Sequence, residues 1–256
     1  MNKILSIITV NKDSAEDLLL TINSLISILT WDSIEFIIID GSSSDNSLIV
    51  INNYKNYISR YISEPDLGIY DAMNKGISMS TGEWLWFLNS GDQSRLSLRS
   101  LQNIFLCSEK NVNFLYSDFY IGDDVVVNQE LSLIGLMRGM INHQSIFYKR
   151  NLFGSFDLKF GLASDFAHLL NNYALIQPKK ISYPVSQFDL FGASSTFSKK
   201  IRFEIWYCRL QAFRSANINI IYKTAGITFC LIVCFLKILN PHIGSNIIKL
   251  RKDLES

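Results

Sequence analysis

Ile34-Glu35-Phe36-Ile37-Ile38-Ile39-Asp40-Gly41-Ser42-Ser43-Ser44-Asp45 decides the fold. Phe36 to Ile39 are apolar without alternation, the pattern of a strand buried on both faces of a parallel sheet. Gly41 and three serines end it, and a helix is expected to begin near Asp45. Upstream, Ile4 to Val10 is another β-rich run, and Asp13 with Glu16 reads as a capping box ahead of the apolar-periodic stretch Leu18 to Leu29. Downstream, Ile58 to Ser63 reads as a third strand, Ile69 to Met79 as a helix and Glu83 to Leu88 as a fourth strand. Repeated strand–helix alternation with short links predicts a mostly parallel α/β sheet.

From about Asn111 the alternation loosens. Asn113 to Tyr116, Val125 to Asn128 and Ser145 to Tyr148 read as strands, and Ser164 to Tyr173 as a helix capped by Ser164 with Asp165 in its first turn. Beyond Ser198 a helix is expected from Phe203 to Arg214, then an apolar segment from Ala225 to Leu239 ending at Asn240-Pro241. Of 256 residues, 48% are hydrophobic and 18% charged, which excludes low-complexity, collagen-like and disulfide-scaffold classes. The net charge of +1 hides a division: residues 1–198 carry 14 basic and 20 acidic side chains, residues 199–256 carry 10 and 3. Two units are therefore expected, 1–198 and a basic, apolar, helical region 199–256. Cys107, Cys208, Cys230 and Cys234 lack CxxC spacing and lie far in sequence from the three histidines, so reduced, mostly buried thiols are expected rather than a zinc site or disulfides. The first residues enter the first strand without a leader-sized apolar run, so no cleaved secretory signal is expected.

Ligands of open parallel sheets bind at the carboxyl ends of the strands. There the sequence sets Asn11, Lys12 and Asp13, then Asp40 to Asp45, then Glu64, Pro65, Asp66 and Gly68, then Asn89-Ser90-Gly91-Asp92. Acids and small hydroxyl residues at four successive strand ends suit a polyhydroxylated, phosphate-bearing ligand held partly through a divalent cation. Neither GxGxxG nor GxxxxGK[ST] is present, which leaves an ordinary dinucleotide site and a P-loop unsupported.

Ser6 to Asn11, Ile39 to Asp45, Ser63 to Gly76, and Thr81 to Trp84 with Phe87 to Asp92 together resemble family 2 glycosyltransferases of the GT-A fold, especially bacterial enzymes of O-antigen, capsule or colanic-acid synthesis. The resemblance covers about residues 3 to 190. It implies that Thr9 and Asn11 line a nucleoside pocket and that Asp40 accepts a hydrogen bond from the base, which favours a UDP-sugar. Asp40 as a turn residue capping the next helix is the alternative. It further implies that Asp66, Asp71, Asn74 and Lys75 border the diphosphate and sugar, with Gly68 permitting the turn before their helix; Lys75 on a solvated helix face, and Asp66 as a plain loop carboxylate, stay open. Asn89, Ser90, Gly91 and Asp92 occupy the place of the DxD metal motif, with Asp92 as the one anionic ligand for Mn²⁺ or Mg²⁺. Asp165 aligns with the acidic residue of the ED motif, Ser164 replacing Glu, and is the candidate general base; a helix-first-turn Asp is the alternative. His143, followed by Gln144, is expected either at the cleft or as a structural residue, and Tyr70, Trp84 and Trp86 as core or wall.

Residues 225–239 would make a helix of about 22 Å, short of the ~30 Å that spans a bilayer. Lys237 lies within it, and Lys199, Lys200, Arg202, Arg209, Arg214, Lys223, Lys249, Arg251 and Lys252 surround it. The expectation is helices lying on the anionic cytoplasmic leaflet of a bacterial inner membrane, or packing on the catalytic domain or on a second copy in a homodimer. The resemblance thus implies an inverting hexosyltransferase of the cytoplasm, acting on a polyprenyl-diphosphate-linked saccharide, with no nucleic-acid partner. A retaining or metal-independent transferase, and a non-catalytic nucleotide-sugar-binding subunit, are the alternatives.

Overall fold

The computed structural model describes residues 3–106, 109–189 and 199–239. Cys107, the boundary at 198 and the basic residues 249–252 lie outside them. The elements in chain order are β1 (Leu5–Asn11), α1 (Ala15–Leu25), β2 (Ile34–Asp40), α2 (Ser47–Asn53), β3 (Arg60–Ser63), α3 (Ile69–Met79), β4 (Trp84–Phe87), β5 (Gln93–Ser94), α4 (Leu98–Leu106), β6 (Phe114–Tyr116), β7 (Phe119–Ile121), β8 (Asp124–Val126), α5 (Leu133–Arg138), β9 (Ile146–Lys149), α6 (Ser164–Asn172), β10 (Pro178–Lys180), β11 (Ser186–Gln187), α7 (Lys199–Ser215) and α8 (Ile220–Leu239).

Seven strands form one sheet in the order β10-β6-β9-β4-β1-β2-β3, parallel except where β9 runs against β4 and β6. The uninterrupted apolar runs serve both faces. Ile8, Ile37, Ile39 and Phe87 point into one core with α3, α5, α6, α7 and α8. Ile7, Phe36, Ile38 and Trp86 point into the other with α1, α2 and α4. Helices thus cover both sides of a mostly parallel α/β sheet, the architecture expected from the alternation. Leu210, Phe213 and Cys230 of the C-terminal helices share the first core with the strands.

Helix capping differs from expectation at α1 and α6, and α7 begins at Lys199, four residues before the expected Phe203. Asp13 does not cap α1; its Oδ1 accepts from Ser44 N, while Asp45 Oδ2 accepts from Ala15 N and Asp45 Oδ1 from Ser47 N. A single carboxylate from the following loop therefore serves the starts of both α1 and α2, a pairing invisible to a local motif. Ser164 is the first residue of α6 rather than its cap, its hydroxyl donating to the carbonyls of Asp157 and Gly161. The C-terminal apolar segment also extends further than expected, α8 being 20 residues long. Among the described residues no helix is long and apolar enough to cross a membrane. Cys230 and Cys234 are buried and Cys208 is half-buried.

At the amino ends of the strands, Glu35 is buried and gathers four donors. Oε1 accepts from Ser6 Oγ (2.6 Å), Gly82 N (3.1 Å) and Thr81 N, and Oε2 from Thr81 Oγ1 (3.0 Å). Burial alone would raise its carboxyl, but these hydrogen bonds outweigh it and hold it below its ordinary value of 4.5. That contribution to stability is full above this value and is lost as pH falls through the lower folded-state value. Glu35→Gln, which turns an acceptor into a donor against two backbone N–H groups, is predicted to cost about 2 to 3 kcal/mol at pH 7. In urea denaturation the deficit should shrink at pH 3.5; an equal deficit at both pH values would remove the carboxylate from the explanation.

Candidate active site

The carboxyl ends of the first three strands are in register, Asn11 beside Asp40 and Asp40 beside Ser63. Asn11 Nδ2 donates to Asp40 Oδ1 at 2.9 Å, Ser63 Oγ to Oδ2 at 2.6 Å, Ser43 N to Oδ2 at 3.0 Å, and Ser43 Oγ to Oδ1. Burial would raise the Asp40 carboxyl, yet the hydrogen bonds from Ser43, Ser63 and Asn11 hold it below the ordinary value. With its amide fixed in this way, Asn11 presents Oδ1 to Ser90 Oγ at 2.9 Å, which links the first strand to the loop after β4.

That loop is fastened from its other side by Thr21 of α1, whose hydroxyl donates to Asp92 O at 2.8 Å and accepts from Gly91 N at 3.0 Å. Gly91 adopts φ +96°, and a Cβ there would lie 2.8 Å from Asp189 Oδ2. Asp189 reaches the loop because β5 pairs antiparallel with β11, Gln93 opposite Gln187, which brings the residues flanking each strand together. Asp189 N donates to Asp92 Oδ1 at 3.0 Å. Burial raises the Asp92 carboxyl to about 7, opposed by hydrogen bonds from Asp189 N and Gln144 and reinforced by the Asp189 charge.

Two adjoining cavities open at this edge. The smaller, about 330 Å³, is lined by Asn11, Lys12, Asp66, Asn89, Ser90, Asp92 and Asp189 among others. The larger, about 570 Å³, is lined by apolar side chains together with Tyr70, Asn128, Asn142, His143 and Asp165. Ile69, Asn89, Gln144 and Phe188 belong to both walls.

Asp165 Oδ1 accepts from Phe166 N at 2.7 Å, and Tyr70 donates to the same carboxyl. Burial dominates and raises Asp165 above the ordinary carboxylate value, against the hydrogen bonds and the field of Arg209. His143 is buried, 3.2 Å through Nδ1 from Tyr148 Oη and stacked 5.0 Å from the Phe87 ring. Burial, with His168 adding to it, lowers its imidazole to about 3, so it is neutral at ordinary pH.

Other expected site residues have partners within the fold. Thr9 is fully buried and donates to Leu88 O at 2.6 Å. Asn74 pairs with both backbone groups of Phe156, at 2.9 and 2.8 Å. Lys75 is 2.9 Å from Glu64 and 3.7 Å from Asp71 and donates to Pro65 O at 2.7 Å. Asp71 also accepts from Leu67 N, and Asp66 from Gly68 N, where Gly68 adopts φ +120° before α3. Thr9, Asp40, Asp71, Asn74, Lys75 and Gly91 are not among the residues lining the two cavities.

Sequence reasoning missed Thr21, Asp189 and the Tyr70 hydroxyl. Thr21 stands in an apolar-periodic helix where its polarity was the available signal, and Asp189 follows a two-residue strand that carries no pattern. A divalent cation would meet oxygen donors here. Asp66, Asp92, Asp189 and Lys12 line the smaller cavity, and Mg²⁺ or Mn²⁺ is commonly held by one or two carboxylates with waters or phosphate oxygens completing its shell. Among the described residues no three acidic, histidine or cysteine side chains converge as a ready ligand set.

The family model for glycosyl transferase family 2 matches residues 6–160. An uncharacterised glycosyltransferase of Mycobacterium tuberculosis is 32% identical over 200 residues, 74% of this chain and 76% of its own. The UDP-Glc:alpha-D-GlcNAc-diphosphoundecaprenol beta-1,3-glucosyltransferase WfaP of Escherichia coli is 33% identical over 128 residues, 49% of each chain. Among solved structures, S. aureus TarS in complex with UDP-GlcNAc superposes with a TM-score of 0.68 at 17% identity, over 89% of this chain and 70% of that one. Glucosyl-3-phosphoglycerate synthase from M. tuberculosis, in complex with Mn²⁺, UDP and glucosyl-3-phosphoglycerate, superposes with a TM-score of 0.59 at 15% identity, over 82% and 80%. These likenesses to solved structures bear on the fold, which is that of the GT-A enzymes.

The loop of residues 89–92 makes its own prediction. Gly91→Ala combines a left-handed φ with a Cβ against the Asp189 carboxylate, and should cost about 1 to 3 kcal/mol in urea denaturation. Wild-type stability in this variant would show that the loop has another conformation of equal energy.

Proposed function

The chain belongs to glycosyl transferase family 2, and from that premise we propose that it is an inverting hexosyltransferase moving a sugar from a nucleotide diphosphate, UDP by preference, to a lipid-linked saccharide of surface-polysaccharide synthesis. The observation that carries the reading is the pair of adjoining cavities, one containing Asp92 and the other Asp165, with Asn89 and Gln144 in the wall they share. The nucleotide and diphosphate take the smaller cavity, the acceptor enters the larger, and the anomeric carbon lies at the junction.

Asp165 accepts the proton of the attacking hydroxyl. Its raised value brings it closer to working pH, which makes it a stronger base than an ordinary carboxylate, and the Tyr70 hydroxyl holds it in orientation. Asn11 and Ser90 border the nucleoside, and Lys12 is better set than the paired Lys75 to offset phosphate charge. For Asp40 to receive a base N–H, one of its present donors, Ser43 or Ser63, must turn away; otherwise it serves by fixing Asn11. A bound Mg²⁺ or Mn²⁺, held by Asp92 with Asp189, would supply charge stabilisation to the departing diphosphate.

The acceptor class draws support from the acceptor in the name of WfaP, a GlcNAc-diphosphoundecaprenol. It also draws on α8, where Leu231, Ile232, Phe235 and Leu236 are exposed on a helix whose Cys230 and Cys234 are buried. We read α7 and α8 as the part of the cytoplasmic enzyme that meets an anionic leaflet, so the division at residue 198 is one of roles, although both parts share a core.

The test is transfer from a panel of nucleotide sugars to a GlcNAc-diphosphate-lipid analogue, with and without Mn²⁺, with analysis of product linkage. Asp165→Asn should lower kcat by about 10² to 10⁴ while UDP binding persists, and Asp92→Ala should abolish the Mn²⁺ dependence of UDP binding. Full activity in Asp165→Asn would remove the base, undiminished transfer in EDTA would favour the metal-independent reading, and UDP binding without transfer to any acceptor the non-catalytic one. Full-length protein that ignores anionic vesicles and runs as a dimer would assign α8 to a second copy.

A further inference from the structure

We propose that Arg209 of α7 is a positioning residue for Asp165, locking the helix that carries the base to the wall of the cavity that admits the acceptor. The inference rests on the reading of Asp165 as the general base. Arg209 stood in the sequence among the basic residues assigned to a membrane surface, but only 7% of it is exposed.

Its guanidinium makes three attachments. Nη2 donates to Leu136 O and, at 3.5 Å, to Met137 O in the last turn of α5, where helix carbonyls lack intrahelical partners and a cation is favoured. One face lies 4.2 Å from the centroid of Phe166, the neighbour of Asp165 in α6. Trp206, on Arg209's own helix, is 4.4 Å away. The chain leaving α5 continues as Gly139, Met140, Ile141 and Asn142, all in the wall of the larger cavity. One planar cation thus joins the base helix to the segment that shapes the acceptor space. A lysine carries the charge but has no plane to stack between Phe166 and Trp206.

The same placement acts on charge. Burial lowers Arg209 to about 10, so it remains protonated in any ordinary assay. Tyr70 from α3 donates to Asp165, and Tyr148 from β9 and Arg209 from α7 couple to it through their fields, Arg209 being the cation among these. Cys230 of α8 also faces Arg209, but burial raises its thiol to about 11, leaving it neutral. Removing the guanidinium therefore leaves the base with less to oppose its desolvation, and its protonation moves to higher pH. Residue 209 also lies outside the matched stretch 6–160, so this contribution comes from a part of the chain the family model does not describe.

The test uses full-length protein and the pH dependence of kcat in wild type, Arg209→Met, Arg209→Lys and Asp165→Asn. Arg209→Met should lower kcat by about 10²-fold, as expected of a displaced base, leave the donor KM unchanged, and shift the acid limb upward by about one pH unit. Arg209→Lys should keep the acid limb and lose about tenfold in kcat through the missing geometry. A folded Arg209→Met whose acid limb coincides with that of wild type overturns the proposal, provided Asp165→Asn is inactive. An active Asp165→Asn overturns the base assignment, and this inference with it. Should Arg209→Met fail to fold, Arg209→Lys decides: wild-type kcat in that variant refutes the positioning role, and a kcat loss at constant donor KM supports it.

Discussion

The site depends on one buried carboxylate with all its accepting positions taken. Asp40 sits at the end of β2 in register with Asn11 and Ser63, and the three meet because parallel pairing sets equivalent positions side by side. Each donor to Asp40 offsets the desolvation of the charge, and each is oriented in return. Asn11 can then hold Ser90, Ser90 belongs to the loop that ends in Asp92, and that loop reaches Asp189. Glu35, at the opposite end of the same strand, does the corresponding work for the turn before β4. A single strand with an acid at each end therefore sets the alignment of its neighbours.

Charge is divided unevenly between the two cavities. The smaller has carboxylates and Lys12, groups able to bind a cation and phosphate oxygens. The larger is apolar with amides, a neutral His143 and one carboxylate, Asp165, whose desolvation makes it basic. The +7 of residues 199–256 is not wholly a surface property, since Arg209 is buried within the core.

Legibility in the sequence followed the length scale of the contact. The spans of β2, Ile34 to Asp40, and of α3, Ile69 to Met79, were both readable, because each rests on its own local pattern, an unbroken apolar run in β2 and a helical period in α3, and on adjacent turn residues. β5 and β11, two residues each, have no period to read, and with them went Asp189 and the reason Gly91 is glycine. Asp45 was taken for the start of one helix and serves two, because the second N–H comes from a residue 30 positions away. Lys75 and Asn74 carried legible polar chemistry, but their partners, Glu64 and the backbone of Phe156, were not legible because Phe156 lies 82 positions from Asn74. Arg209 was legible as a basic residue; its burial depends on α5 and α6 arriving beside it.

The outer strands of the large sheet have a consequence for life at high concentration. β3 is mostly exposed, and a sheet edge of that kind offers unpaired backbone groups to any similar edge. Here Arg60 begins the strand and is anchored by its guanidinium to Met79 O, so an incoming strand would have to pass a charge. At the other end, β10 opens with Pro178, which has no N–H to donate, followed by Lys179 and Lys180. Both borders of the large sheet are thus unsuited to strand-by-strand growth.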